Sequence, residues 1–335
     1  MSKSYLTNSQ MWTSFWISVH EAPHEIVEIQ SGVENLSFRN FLYIYPWVGG
    51  RTFGYVSKMK IPAAPSHYYD LATAVTEKCV EIAEKKGCSF LQFDLNDVQG
   101  IDFLEQELLS RLRKKGISLK ASRKSLQYHH TIVKDCHDLQ PQQGLDNKSL
   151  QLFFDINNRW FLQTSTKLRR YTRKALQSDL RVRIGKSELL NDFFRLLKDT
   201  SKRQAFATHA TEYYTKLAEV GKSHIIIVYD GDKPVSAWFG IFDEDTMYYL
   251  YGGNTPEGMR KRSSYLAQLA ALSLISQLGL SYYDLGGYDK DKGYGLFKEM
   301  FHGDIITFPG DWTIPLKKDY PFINNLLKIR DLFKS

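Results

Sequence analysis

The sequence predicts a mixed α/β (α+β) protein made of two copies of one unit. Three observations carry this. Short apolar strands alternate with amphipathic helices along the chain. A strand, a helix, a glycine and a second strand occur twice in the same order. The repeat has a fixed offset: Gly87 and Gly279 lie 192 residues apart, as do Phe90 and Tyr282. A chain of 335 residues suits about two domains, and 43% hydrophobic residues suffice to fill their cores.

Each element has a local signature. Ser9 precedes Trp12, Phe15, Trp16 and Val19 at helical spacing, which marks a first helix. Strands follow at Glu25–Gln30, Asn40–Tyr45 and Thr52–Lys60, the last two joined by the glycine turn Trp47–Arg51. Ser66–Lys86 reads as a helix ended by Gly87, Ser89–Leu95 as a strand ending near Asp94, and Gly100–Lys115 as a helix stopped by Gly116. Asp135–Lys148, with Pro141, Gly144 and several Gln and Asp, reads as a loop or linker.

In the second half, Leu150–Ile156 reads as a strand, Leu162–Gln177 as a helix, Leu180–Ile184 as a strand, and Glu188–Arg203 and Glu212–Val220 as helices. A meander follows at His224–Tyr229, Pro234–Phe242 and Thr246–Tyr251, with Asp-rich turns between. A long helix at Arg262–Leu278, a strand at Leu280–Leu285 and a last helix at Tyr320–Phe333 complete the reading.

The net charge of +7 is local. Between Lys167 and Lys186 there are eight basic residues and one acid, Asp179, and the rest of the chain balances. Such a patch suits a specific polyanion better than general affinity for DNA. On a helix, Arg169 and Arg173 share one face and Arg170 and Lys174 the next, with Tyr171 between. The plainer reading is a solvated helix face. The three cysteines (Cys79, Cys88 and Cys136) form no metal-ligand spacing, and no apolar run reaches the roughly 20 residues of a membrane span. The polar start, Met1–Gln10, has no apolar signal region. A reduced, cytoplasmic setting is expected, with any contact with the inner membrane peripheral.

Two glycine segments carry candidate chemistry. Tyr251-Gly252-Gly253-Asn254 precedes Arg262-Ser263-Ser264-Tyr265 at a helix start, where acetyltransferases of the GNAT fold place a glycine loop for the coenzyme A pyrophosphate. The bulky residues here disfavour that cofactor. Tyr283-Asp284-Leu285-Gly286-Gly287 is followed by Leu296-Phe297-Lys298-Glu299-Met300-Phe301. Lys298 can place a fixed charge beside a developing oxyanion, and Phe297 can stack on a base. The plainer reading makes Phe297 and Phe301 core anchors and Lys298 a surface lysine.

These residues resemble the FemABX family of peptidyl aminoacyltransferases. The last segment is similar to that family's YDxGG…FKxxF ending. Lys167–Ala175 is similar to its basic helix, and Gln10-Met11-Trp12, Tyr55–Lys58 and Phe93-Asp94 fall in the expected order. The resemblance implies two tandem GNAT-like domains, residues 1–135 with 310–335 and residues 136–309, the last helix packing on the first. It implies transfer of an amino acid from aminoacyl-tRNA to an amine of a peptidoglycan stem peptide on a UDP- or lipid-linked precursor, without a cofactor. Glu188–Lys222 is too short for the coiled-coil arm of longer members.

Carried over by position, Lys298 and Asp94 would be catalytic. Phe297, Arg169, Arg170, Arg173 and Lys174 would meet the donor, and Tyr55, His209, Tyr213, Tyr251 and Asp284 the acceptor. Three family positions differ: a lysine after Trp12 is absent in Thr13-Ser14-Phe15, an arginine is His209, and another is Gln92. A coenzyme A-dependent N-acyltransferase and a non-catalytic tRNA-binding module are the alternatives.

Overall fold

The computed structural model describes residues 9–20, 24–31, 36–59, 61, 67–95, 101–122, 126–204, 207–308, 310–322 and 325. They form two compact units, residues 1–129 with 307–335, and residues 130–306.

The first unit contains α1 (Gln10–His20), β1 (His24–Ser31), β2 (Leu36–Pro46), β3 (Thr52–Met59), α2 (Tyr68–Lys85), β4 (Phe90–Leu95), α3 (Ile101–Lys114), β5 (Lys120–Ala121) and a returning strand, β13 (Asp311–Pro315). Its sheet runs β1-β2-β3-β4-β13-β5. The Ser9 hydroxyl accepts from Trp12 N at 3.2 Å, as expected of the cap. Leu71, Ala72, Val75, Cys79 and Ala83 give α2 one buried stripe. It packs with Leu42, Val56, Leu91, Phe93, Trp312 and Ile314 of the sheet.

The second unit contains β6 (His130–Asp135), α4 (Asn147–Ile156), α5 (Asn158–Leu162), α6 (Thr166–Leu176), β7 (Leu180–Gly185), α7 (Leu190–Gln204), α8 (Thr211–Glu219), β8 (Ser223–Asp230), β9 (Lys233–Asp243), β10 (Thr246–Asn254), α9 (Pro256–Lys261), α10 (Ser263–Gln277), β11 (Tyr282–Gly287), α11 (Gly293–Glu299) and β12 (Asp304–Thr307). Its sheet runs β12-β6-β11-β10-β9-β8-β7. Thirteen of the fifteen residues of α10 are buried, so this helix is the unit's central core element.

The repeat is structural. In each unit a helix crosses between two parallel strands, β3 to β4 and β10 to β11. Both crossover helices end in the same glycine motif. Gly87 and Gly279 are left-handed (φ 72° and 66°). Cys88 N donates to Ala83 O at 2.9 Å, and Leu280 N to Ile275 O at 3.0 Å, again 192 residues apart.

Several expectations are corrected. Leu150–Ile156 is helical. Leu150, Leu152, Phe154 and Ile156 alternate like a strand, but Asp146 caps the amides of Lys148 and Ser149 at 2.9 and 3.1 Å. Leu150, Phe153 and Phe154 are then buried at helical spacing, leaving Leu152 and Ile156 in solvent. The expected helix Leu162–Gln177 breaks at Ser165, whose hydroxyl caps α6 through Leu168 N at 3.1 Å. His130–Asp135 pairs with β11 and so belongs to the second unit's sheet, whereas the expected boundary falls after Asp135. The expected loop is present between Asp135 and Asn147, and Asn157 bonds the backbone of Gln140 within it in both directions. A strand not expected from the sequence, β13, pairs with β4 some 220 residues away. Most of the helix expected at Tyr320–Phe333 lies outside the described residues.

Candidate active site

The second unit has a cleft of about 330 Å³. Sheet geometry makes it. Strands β10 and β11 pair only from Thr246/Tyr282 to Tyr248/Asp284. Beyond that point β10 passes through an irregularity at Tyr249/Tyr251, and β11 turns at left-handed Gly286 (φ 75°). The cleft is lined by Trp238, Tyr249, Asn254, Arg262, Tyr265 and Phe297, among others. At its base, Trp238 Nε1 donates to Tyr283 OH at 2.8 Å, and Tyr283 OH donates to Gln268 Oε1 at 2.5 Å. Sequence reasoning missed this buried triad, because its members are far apart in the chain.

Gly286 is required twice. Its φ suits glycine, and a Cβ there would stand 2.6 Å from Tyr249 O. We expect Gly286→Ala to destabilise the fold by about 2 kcal/mol or more, measured by denaturant unfolding. An unchanged midpoint would refute the role.

Lys298, on α11, is only 9% exposed. Its Nζ donates to Gly287 O at 2.6 Å, and it lies 5.2 Å from the Tyr294 ring centroid. Burial pushes its pKa down to about 8, opposed by nearby Asp284. This is a buried cation, not a surface lysine. Phe297 is half-buried and meets Tyr265 edge to face at 5.2 Å, while Phe301 is fully buried. One phenylalanine thus anchors the core and the other lines the cleft. Asp284, expected at the acceptor, holds the turn of its own strand. It accepts from Gly286 N at 2.7 Å and from the Thr131 hydroxyl.

The basic helix divides into two roles. Arg169 turns inward, donating to Phe161 O at 3.2 Å, to Thr164 O and to Thr166 Oγ1, which closes the end of α5. Arg173 is exposed and lies 5.3 Å from the Phe154 ring. Lys167, Arg170 and Lys174 are exposed. Lys167 and Arg170 approach the Tyr171 ring at 5.9 and 5.1 Å, and Arg262 covers it at 4.0 Å. The Arg170 guanidinium foremost, then Arg262 and Lys167, holds the Tyr171 hydroxyl below its ordinary pKa. Tyr171 meets Tyr265 of the cleft at 5.1 Å.

Three residues named for the acceptor come together in the second unit. His209 stacks on Tyr213 at 4.0 Å and faces Tyr251 edge-on at 6.3 Å. The hydroxyls of Tyr213 and Tyr251 lie 2.9 Å apart.

Asp94 and Tyr55 lie in the first unit. Both are buried. Asp94 is 2.8 Å from Lys58 Nζ in an ion pair that is 1% exposed on each side, and also accepts from Lys58 N at 2.8 Å. Lys58 is left-handed (φ 45°) at a register shift of β3. Its Nζ sits 3.5 Å over the Phe308 ring. The sequence pattern did not single out Lys58. Burial, then the Asp94 and Asp311 carboxylates, raise the Tyr55 hydroxyl pKa. At the differing family positions, Thr13 bonds the Tyr43 hydroxyl at 2.8 Å, and Gln92 Nε2 donates to Asp311 at 2.6 Å. Among the described residues no three His, Cys, Asp or Glu side chains gather as a metal site.

Residues 163–295, which hold most of the cleft's lining, match the acetyltransferase (GNAT) domain family. No curated protein sequence matches the chain. Among solved structures, FemX aligns with a TM-score of 0.72 at 15% identity, covering 96% of this chain and 94% of that one. The C-terminal domain of a putative lysylphosphatidylglycerol synthetase from Agrobacterium fabrum gives 0.53 at 10% identity, covering 93% and 89%. A tandem GNAT protein from the clavulanic acid biosynthesis pathway gives 0.52 at 9% identity, covering 88% and 84%. The fold is therefore two tandem GNAT-like domains. The FemABX resemblance holds for the fold over nearly the whole chain, and the matched domain is of the acyltransferase type.

Proposed function

We propose that this acyltransferase-type protein moves an amino acid from aminoacyl-tRNA to an amine of a peptidoglycan stem peptide, on a UDP- or lipid-linked precursor. The observation that carries the reading is Lys298, a buried cation beside the split of β10 and β11, next in sequence to cleft-lining Phe297. The donor is an activated ester, so positioning and charge stabilisation suffice and no cofactor is required. The acceptor amine attacks the ester carbonyl, the Lys298 ammonium stabilises the oxyanion, and the ribose hydroxyl leaves. Phe297 packs on the terminal adenosine. His209, Tyr213 and Tyr251 receive the acceptor.

The loop chemistry favours this donor over coenzyme A. A pyrophosphate cradle needs free backbone amides. Here Gly258 N donates to Thr255 Oγ1 at 3.0 Å, Met259 N to Thr255 O at 3.0 Å and Arg262 N to Met259 O at 3.2 Å. One structural neighbour is named as a putative lysylphosphatidylglycerol synthetase, which supports an aminoacyl group as cargo. No helix among the described residues is long and apolar enough to cross a membrane. A cytoplasmic site of action, with at most peripheral contact with the inner membrane, is part of the proposal.

The test is to incubate the protein with charged tRNA and each precursor, and to detect the lengthened stem peptide by mass spectrometry. No lengthened product with any aminoacyl-tRNA would refute the reading. Saturable coenzyme A binding with acyl transfer would favour the N-acyltransferase. Reversing exposed Arg170 and Lys174 to Glu should cut transfer at least tenfold and flatten its dependence on salt. An unchanged salt slope would make those side chains a solvated face only.

A further inference from the structure

Arg262 combines three features that its position does not require. It is a non-glycine residue in the left-handed region (φ 63°), at the cap of α10. Its buried Nε has no hydrogen-bond partner. Its guanidinium lies over Tyr171, with Cζ 4.0 Å from the ring centroid. It lines the cleft together with Tyr265 and Phe297.

Lys167 and Arg170 reach the same tyrosine from α6. Among the described residues, none of these three cations has a carboxylate within 4.0 Å. Arg181 and Lys261 of the same unit, by contrast, are paired with Asp232 and Asp230. Three unneutralised cations on one aromatic ring, beside a cavity, suit an anion with several acceptor oxygens. The aromatic series Tyr171, Tyr265 and Phe297 leads from that charge into the cleft, with successive centroids 5.1 and 5.2 Å apart. A phosphate at one end and flat rings at the other suit a nucleotide.

We propose that Lys167, Arg170 and Arg262 form a phosphate subsite around Tyr171, and that Arg262 selects a phosphodiester-linked RNA end over coenzyme A. This rests on the tRNA reading above and names the residue that enforces it. Arg262 holds the helix start where a pyrophosphate would otherwise approach, and offers a side-chain fork to a single phosphate.

The experiment is calorimetric titration of the full chain with the trinucleotide cytidylyl-cytidylyl-adenosine and, separately, with coenzyme A, at two salt concentrations. Wild type should bind the trinucleotide, more weakly at high salt. Arg262→Gly should weaken that binding at least tenfold and shallow the salt slope. Glycine suits the left-handed cap, so the melting temperature should hold or rise, separating binding from folding. Arg262→Lys should recover only part of the affinity, because an ammonium lacks the planar fork. Arg113→Gln, on α3 of the first unit, should change nothing.

Trinucleotide binding undiminished in Arg262→Gly would overturn the subsite while leaving the donor reading intact. No trinucleotide binding by wild type would count against the donor reading itself. Coenzyme A binding that is tighter than the trinucleotide and depends on Arg262 would reverse the proposed selectivity.

Discussion

Lys298→Met should abolish most transfer and yield a more stable protein. The two effects have one cause. A lysine that is 9% exposed holds a charge where burial disfavours it, and its pKa falls to about 8. The depressed value means the unfolded chain holds the proton more tightly. At neutral pH the charge costs the folded state on the order of 1–3 kcal/mol, after discounting its bond to Gly287 O. Methionine has similar reach and no charge, so the melting temperature should rise. In wild type, stability should increase with pH between about 8 and the usual lysine value, as the folded state releases its proton first. The variant should lack that rise. Activity needs the ammonium, so wild-type transfer should decline above about pH 8. Loss of one preorganised donor at a developing oxyanion costs roughly 100- to 1,000-fold in rate. Single-turnover transfer from charged tRNA and thermal melts check both effects. Full activity in a stabilised variant would remove Lys298 from the chemistry.

Much of this site is legible in the sequence because its chemistry is local. Phe297 and Lys298 are adjacent, and the glycines that end β11 lie about ten residues before them. Gly87 and Gly279 betrayed the duplication because a left-handed helix end demands glycine at a fixed place. What escaped depends on distant partners. Strand β13 is five residues long, ends in proline, and is a strand only because β4 and β5 flank it. Leu150–Ile156 fits both periods, and the capping carboxylate of Asp146 decides for the helix. Arg169 scans as one more cation of a ridge, yet the carbonyls at the end of α5 hold its Nη1. Arg262 reads as an obstacle to a cofactor, and its place over Tyr171 appears only once α6 and α10 are packed.

The first unit bears the second large expectation. Lys58→Met should destabilise the protein by about 3–5 kcal/mol, and adding Asp94→Leu should restore most of the loss. Each partner is 1% exposed, so removing one strands the other's charge in the core. Removing both removes two desolvation penalties, and the cycle should show strong coupling. Lys58 is a left-handed residue at a register shift of β3, and its side chain is held by Asp94 and the Phe308 ring. Asp94 was expected as a catalytic group, and its carboxylate is held here by Lys58 Nζ and by Lys58 N. Burial raises the Asp94 pKa to about 6, with Lys58 opposing. A raised carboxylate stabilises most below its unfolded value near 4, and that contribution is lost as pH rises through 6. Between pH 4 and 6, wild type should therefore lose stability relative to Asp94→Asn. Asp94→Asn should also keep its transfer rate per folded molecule, measured below its melting range. A large rate loss in folded Asp94→Asn, with the pH profile stripped of its acidic limb, would place Asp94 in the chemistry instead.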